Sequence, residues 1–203
     1  MSYEAVSNGD LAAVVTYLEM LAPPAAGVPQ STLQLSRLSS PTAEQYRALF
    51  RKVGSPWLWF SRLVMPDEEL EATIRHPDVL LFEVAAVEAV VGMLELDFRE
   101  EGECELAFIG LVPELAGRGH GKWLLTEAVR RAWREGVARV HVHTCSLDHP
   151  AALSAYRRAG FTPYKRAIER FPDPRLLGIL PGDCAPQVPL LGTVARLSAP
   201  PAS

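Results

Sequence analysis

Apolar positions along the chain recur in two periods, and the switches between them lay out the elements. From Asn8 to Leu21, the residues Leu11, Val14, Val15, Leu18 and Leu21 fall on one face at helical spacing, with Asn8 placed to cap. Pro23 and Pro24 stop this predicted helix, and the Ala/Gly/Pro stretch to Pro29 reads as a linker. Thr32–Leu38 alternates apolar and polar residues and is a predicted strand. Ser40-Pro41-Thr42 opens a helix running through Tyr46, Leu49 and Phe50 to a stop near Gly54. A short aromatic cluster follows, Trp57, Trp59 and Phe60. The next helix begins at Pro66-Asp67-Glu68-Glu69, whose acids suit a helix N-terminus, and ends before His76-Pro77.

Three strand-like runs come next, Val79–Val87, Ala89–Phe98 and Cys104–Val112, joined by connections short enough for antiparallel hairpins. A glycine-bearing loop then enters a helix from about Gly119 to Glu135, with Leu124, Leu125, Ala128, Val129, Ala132 and Trp133 on one face and Gly136 at its end. Arg139–Ser146 is a strand on which Val140, Val142 and Thr144 alternate with His141, His143 and Cys145. Asp148-His149-Pro150 breaks it and caps the helix Ala151–Ala159, Gly160 terminates that helix, and Phe161–Phe171 is the last strand. The remainder, rich in proline, reads as an extended arm. This order describes a mixed α/β sheet, antiparallel in its first half and with βαβ-type connections later. Three segments are expected: an N-terminal helix and linker over 1–30, a catalytic or binding domain over 31–171, and a C-terminal arm over 172–203.

At 203 residues the chain is long enough for a full core. A net charge of −4 without any basic run gives no support to a nucleic-acid partner. No window is long and apolar enough to cross a membrane, and the N-terminus lacks the basic start of a secretory signal. Cys104, Cys145 and Cys184 are odd in number and widely spaced, which argues against a disulfide framework. The expected location is cytoplasmic. The N-terminal helix and the arm are each available to cover a second copy, so a homodimer stays open.

Chemistry concentrates at the glycine loop. Gly117, Gly119 and Gly121 alternate just ahead of a helix, where unpaired N–H groups and the helix dipole favour an anion. A Walker loop is excluded because Gly117 to Gly121-Lys122 is one residue short and Trp123 stands where a magnesium-binding hydroxyl is needed. A dinucleotide fingerprint needs GxGxxG in an alternating parallel series. This loop is GxGxG after antiparallel strands.

The stretch Leu111-Val112-Pro113-Glu114-Leu115-Ala116-Gly117-Arg118-Gly119-His120-Gly121 resembles the acyl-CoA loop of the GCN5-related N-acetyltransferases, the GNAT superfamily. About thirty residues later, Ala152-Leu153-Ser154-Ala155-Tyr156-Arg157-Arg158-Ala159-Gly160-Phe161 is similar to that family's second signature. The motif-bearing match covers about residues 79–171, with a looser element match from residue 32. The sequence departs from the pattern twice. Ala116 stands where the family carries Gln or Arg, and His149 where many members carry an Asn that contacts the cofactor.

The resemblance implies a mixed central sheet of about six to seven strands, splayed at the glycine-loop strand and flanked by helices, here with the extra N-terminal helix. It implies acetyl-CoA as co-substrate and a primary amine, small-molecule or peptide, as acceptor, with direct transfer in a ternary complex. Pantetheine would pair with the backbone of Ile109, Gly110 and Leu111, where Gly110 would allow a bulge or close approach of the cofactor. Gly117, Arg118, Gly119, His120, Gly121 and Lys122 would hold the pyrophosphate, with His149 near the cofactor. Tyr156 would protonate the departing thiolate and Glu105 would serve as base. Glu103 shares the strand face of Glu105 by the period-two rule. Trp57 and Trp59 would border the acceptor. His141, His143 and Cys145 share one face, which fits packing beneath a helix better than a metal site, and a histidine there could also relay a proton. No metal is expected. The other reading is a non-catalytic acyl-CoA-binding module on the same fold.

Overall fold

The computed structural model describes residues 3–25 and 27–192. The end of the proline-rich arm, 193–203, lies outside the described residues. The strands are β1 (Asp10–Met20), β2 (Gln34–Leu38), β3 (Val79–Ala85), β4 (Val90–Asp97), β5 (Glu103–Leu111), β6 (Arg139–Cys145) and β7 (Thr162–Pro172). The helices are α1 (Ala43–Gly54), α2 (Ser61–Val64), α3 (Asp67–Ile74), α4 (His120–Ala132) and α5 (Ala152–Arg158). The seven strands among the described residues form one sheet in the order β2-β3-β4-β5-β6-β1-β7.

The expected N-terminal helix is a strand. β1 pairs antiparallel with β6 on one side and β7 on the other, and so sits inside the sheet. Val14 and Leu21, which the helical reading placed on a buried face, are 45% and 67% exposed, whereas Ala13, Val15, Thr16, Leu18 and Met20 are buried. An interior strand buries side chains on both faces, so its apolar residues lose the clean period of two. The β-branched and aromatic run Val14-Val15-Thr16-Tyr17 is the signal that favours a strand.

Helices cover both faces of the sheet. α4 and α5 press Trp123, Leu124, Leu125, Ala128, Val129, Ala132 and Tyr156 onto Leu94, Leu96, Leu106, Val140 and Val142. On the other face α1 and α3 bury Tyr46, Phe50, Val53, Leu70 and Ile74 against Val79, Leu81 and Met93. Each large side chain so buried contributes roughly 1.5–3 kcal/mol of transfer free energy. α1 starts with a full capping box, in which Thr42 Oγ1 accepts from Gln45 N–H while Gln45 Oε1 accepts from Thr42 N–H.

The arm is not extended over its described part. The Arg175 guanidinium is buried, pairs with Asp173 at 2.7 Å and donates to the carbonyls of Cys184, Ala185 and Val188. That clamp folds the segment back so that Leu180 and Ala185 pack on Leu58, with Leu11, Phe60 and Leu147 around them. Gln187 Nε2 donates to the Pro56 carbonyl at 2.6 Å. The aromatic stretch 55–60 is therefore held from the sheet side and from the C-terminal side.

Candidate active site

The site is built where two neighbouring strands part. β5 and β6 are parallel and pair at only three positions, Glu103–Arg139, Cys104–Val140 and Glu105–His141. Beyond Glu105, β5 continues beside β4 to Leu111, while β6 continues beside β1 to Cys145. One edge of β5 is left open over Leu106–Leu111. Ala107 is an extra residue in the β4–β5 ladder, since Leu96 faces Leu106 and Glu95 faces Phe108. Such a bulge bends the strand and raises its twist, which is the local cause of the parting.

Gly110 is not the bulge. A Cβ there would lie 2.7 Å from Val53 Cγ1 and 3.4 Å from the Trp59 ring, so its missing side chain admits α1 and Trp59. Its backbone is also turned away from the opening. Val112 N–H donates to the Val91 carbonyl on β4, and strand alternation turns the backbone groups of Gly110 the same way. Ile109 and Leu111 present their N–H and C=O groups to the opening. Of the three expected backbone partners, two are placed for a ligand there.

The loop after β5 makes a short 3-10 turn, Pro113–Leu115, and then reaches α4 through Gly117 at φ +75° and Gly119 at φ +82°. Those two left-handed residues aim the start of α4 outward. The N–H groups of Gly119, His120 and Gly121 precede the first i→i−4 bonds, and Lys122 and Trp123 turn back to the Gly119 carbonyl. Arg118 and Lys122 are exposed beside them, as is Ala116, which offers no side-chain donor. The His120 ring is tied down instead, its Nδ1 lying 3.1 Å from Ser31 Oγ in the linker before β2.

Tyr156 faces inward from α5, edge-on to Phe161 with ring centroids 5.9 Å apart. The spacing of the second signature is a helix C-cap. Phe161 N–H donates to the Tyr156 carbonyl, and Gly160 takes φ +106° to make the turn. Burial pushes the Tyr156 phenol well above its usual range, and the Asp148 carboxylate pushes it further.

Asp148 is the residue that sequence reasoning passed over, taking it only as a helix cap. Its Oδ2 accepts from Thr144 Oγ1 at 2.7 Å and from Cys145 N–H at 2.8 Å, and its Oδ1 accepts from Trp59 Nε1 at 3.1 Å. It thereby joins the end of β6 to the aromatic stretch beside Tyr156. Trp59 packs on Phe50 and Phe108, while Trp57 meets the His149 ring edge-on at 5.0 Å. His149 Nδ1 is occupied, accepting from Ala151 N–H at 3.0 Å. Trp57, Trp59, Asp148, His149 and Tyr156 thus gather at one corner.

The other candidates line the point of parting. Glu105 Oε1 lies 3.2 Å from His143 Nδ1, and this contact holds the Glu105 carboxyl below its usual range and the His143 imidazole above its own. Glu103 is committed to Arg139 at 2.9 Å, with His141 Nε2 at 3.5 Å. His141 and His143 thus face the carboxylates of β5, and a helix does not cover them as expected. Cys145 is raised to about 11 by burial and by the nearby Asp148, which removes it as a thiolate nucleophile at neutral pH. A cavity of about 350 Å³ opens here, lined by Asp97, Arg99, Glu100, Glu103, Glu105 and His141. Arg99 neutralises Asp97 through paired hydrogen bonds. Among the described residues no cluster of His, Cys, Asp and Glu has the arrangement of a metal site, and no helix is long and apolar enough to cross a membrane.

The family model "Acetyltransferase (GNAT) family" matches residues 45–161, more than half of the 203-residue chain. No curated protein matches the chain in sequence. Among solved structures, a GCN5-related N-acetyltransferase from Sphaerobacter thermophilus superposes with a TM-score of 0.56 at 21% identity, over 85% of this chain and 53% of that one. A functionally unknown conserved protein from Staphylococcus epidermidis gives 0.54 at 13% identity, over 81% and 63%. An aminoglycoside acetyltransferase from an uncultured soil metagenomic sample gives 0.54 at 18% identity, over 68% and 93%. At these identities the likeness is one of fold. The chain spans 63% and 51% of the first two solved structures it resembles.

Proposed function

The chain belongs to the GNAT acetyltransferase family, and on that premise we propose that it moves an acetyl group from acetyl-CoA to a primary amine by direct transfer in a ternary complex. The observation that carries this reading is the parting of β5 from β6 just past Glu105 and His141. A strand edge with unpaired backbone groups leads from that point to the start of α4. An extended amide-bearing arm pairs naturally with such an edge.

The far end of the opening is suited to the pyrophosphate. The N–H groups of Gly119, His120 and Gly121, the α4 dipole and the charges of Arg118 and Lys122 all favour an anion there. Along the open edge, the backbone of Ile109 and Leu111 would pair with pantetheine. Tyr156 would donate its proton to the sulfur as the C–S bond breaks, and its raised pKa keeps that proton in place at neutral pH. Glu105 stands at the point of parting, where the amine must shed a proton before its lone pair attacks the thioester carbon. The carboxylates around the neighbouring cavity favour a cationic acceptor.

The test is thiol release from acetyl-CoA in the presence of a panel of amines, with the acetylated product identified by mass. Amine-dependent release with intersecting initial-rate lines is expected. Tight acetyl-CoA binding with no release for any amine would instead establish an acyl-CoA-binding module. Parallel lines would replace direct transfer by an acyl-enzyme route.

A further inference from the structure

Within the acyl-transfer reading above, on which this step rests, we propose that the His143 imidazole takes the proton from the acceptor amine, and that Glu105 positions the ring rather than acting as the base.

Placement is the first reason. Pairing of β5 with β6 ends at Glu105–His141, and His143 lies two residues further along β6, where β5 has already parted. Its side chain reaches back across the gap, and Nδ1 meets Glu105 Oε1 at 3.2 Å. A carboxylate at that nitrogen fixes the tautomer with the proton on Nδ1. The lone pair is left on Nε2. The His143 side chain is 49% exposed and that of Glu105 31%, so the ring is the more accessible member of the pair.

Chemistry is the second reason. A base works best when its pKa lies near the operating pH. Glu105, hydrogen-bonded to the ring, is held below the ordinary carboxylate range and is poorly matched to an ammonium. The ring is shifted the other way, above its ordinary value, by the same hydrogen bond to Glu105. Carboxylates face it from several elements: Glu105 on β5, Asp148 in the turn after β6, and Glu169 on β7, all of which favour the imidazolium. From β1, Tyr17 sets its ring 5.8 Å from the imidazole, and Lys165 on β7 lies over that Tyr17 ring. The remaining carboxylate on the same strand face, Glu103, is engaged by Arg139 and His141.

The ammonium loses one proton to His143 Nε2, and the freed lone pair forms the C–N bond at the thioester carbon. As the tetrahedral adduct collapses, the C–S bond breaks and the sulfur leaves with its electron pair. The thiolate gains its proton from Tyr156, and the second nitrogen proton passes through solvent to the Tyr156 phenolate and restores the phenol. His143 releases its proton to solvent. The products are the amide, the thiol and one proton.

The experiment compares kcat/KM against pH for wild type, H143Q and E105Q, with acetyl-CoA and the best of spermidine, lysine, tyramine and a short alanine-initiated peptide. Wild type is expected to show an acidic limb centred above the ordinary imidazole value of about 6.5. H143Q should lose that limb and fall at least ~100-fold in rate. E105Q should keep the limb but move it to lower pH, because the partner that raises the imidazole is gone. The proposal is overturned by the opposite pattern, in which E105Q abolishes the limb and H143Q only shifts it upward. Acetyl-CoA affinity in H143Q, unchanged within about 2-fold, shows that the variant is folded. If none of these amines is turned over, the transfer reading fails separately. NMR titration of His143 in the protein alone then decides the pairing: a ring that titrates identically in wild type and E105Q, or lacks a fixed Nδ1–H tautomer, removes it.

Discussion

Trp59 Nε1 donates to Asp148 Oδ1 at 3.1 Å, joining residues 89 positions apart and closing the corner in which Tyr156 sits. The bond is one of three that Asp148 accepts, so its two ends are unequal. Replacing Trp59 with Phe removes one donor and leaves the carboxylate with Thr144 and Cys145. Replacing Asp148 with Ala strands three donors at once. An unmade bond to a buried group costs ~1–3 kcal/mol, and a made one contributes only ~1 kcal/mol net. Asp148→Ala should therefore lower Tm at least twice as far as Trp59→Phe, where each kcal/mol is worth ~2–4 °C in a chain of this size. Equal losses in thermal melts would show that Asp148 does not gather this corner.

Tyr156→Phe should separate chemistry from binding. The hydroxyl is raised by burial and by Asp148, so it is a protonated donor throughout the neutral range. Its removal is expected to lower kcat by ~100-fold or more, with acetyl-CoA affinity retained because the ring and its contact with Phe161 remain. The sign for Asp148→Asn follows from charge: without the carboxylate the phenolate is repelled less, the phenol pKa falls, and the alkaline limb of kcat moves to lower pH. A Phe variant with full turnover would leave Tyr156 as a packing residue only.

The glycine loop makes a backbone prediction. Gly119 holds φ +82° with nothing within 4 Å of a notional Cβ, so Gly119→Ala is costly through its torsion and not through a clash. The left-handed region costs an L-residue ~1–2 kcal/mol. If the loop relaxes to escape this, the N–H groups of His120 and Gly121 swing off the ligand axis. Coenzyme A affinity should then fall about 10-fold, equivalent to ~1.4 kcal/mol, as read by calorimetry. Gly121→Ala, at ordinary φ within α4, is the control and should bind nearly as tightly.

How far the sequence could be read follows from which signals are local. The glycine loop, its helix, and the Tyr156-to-Phe161 cap are set by neighbours within a few residues, and so was the assignment of Tyr156 to α5. β1 could not be read this way, because its partners β6 and β7 lie more than a hundred residues away and pair along both of its edges. The bulge at Ala107 carries no glycine to mark it, and Gly110 drew attention to the wrong residue. Asp148 and His143 acquire their roles only across the fold: Asp148 from Trp59, and His143 from a carboxylate 38 positions earlier that reaches it because two strands part.

The buried Glu95, away from the site, offers a test of what holds α2 and the aromatic stretch to the sheet. Glu95 on β4 is wholly buried, paired with Arg62 of α2 at 2.6 Å and accepting from the Tyr46 hydroxyl. Arg62 in turn lies over the Phe108 ring, 5.3 Å from its centroid. Its Nε is buried with no hydrogen-bond partner among the described residues, so the pair is not fully compensated. Removing one ion from such a pair leaves the other uncompensated, at a cost of ~3–5 kcal/mol, whereas replacing both with apolar residues of similar volume is often neutral or stabilising. Arg62→Met alone should therefore unfold the protein at markedly lower denaturant, and adding Glu95→Leu should recover much of the loss despite stranding the Tyr46 hydroxyl. A double variant no more stable than Arg62→Met would mean that Glu95 is held chiefly by Tyr46. The anchoring of α2 would then rest on the ring contact between Arg62 and Phe108 and on the Arg62 carbonyl, which accepts from Arg47 Nε at 3.2 Å.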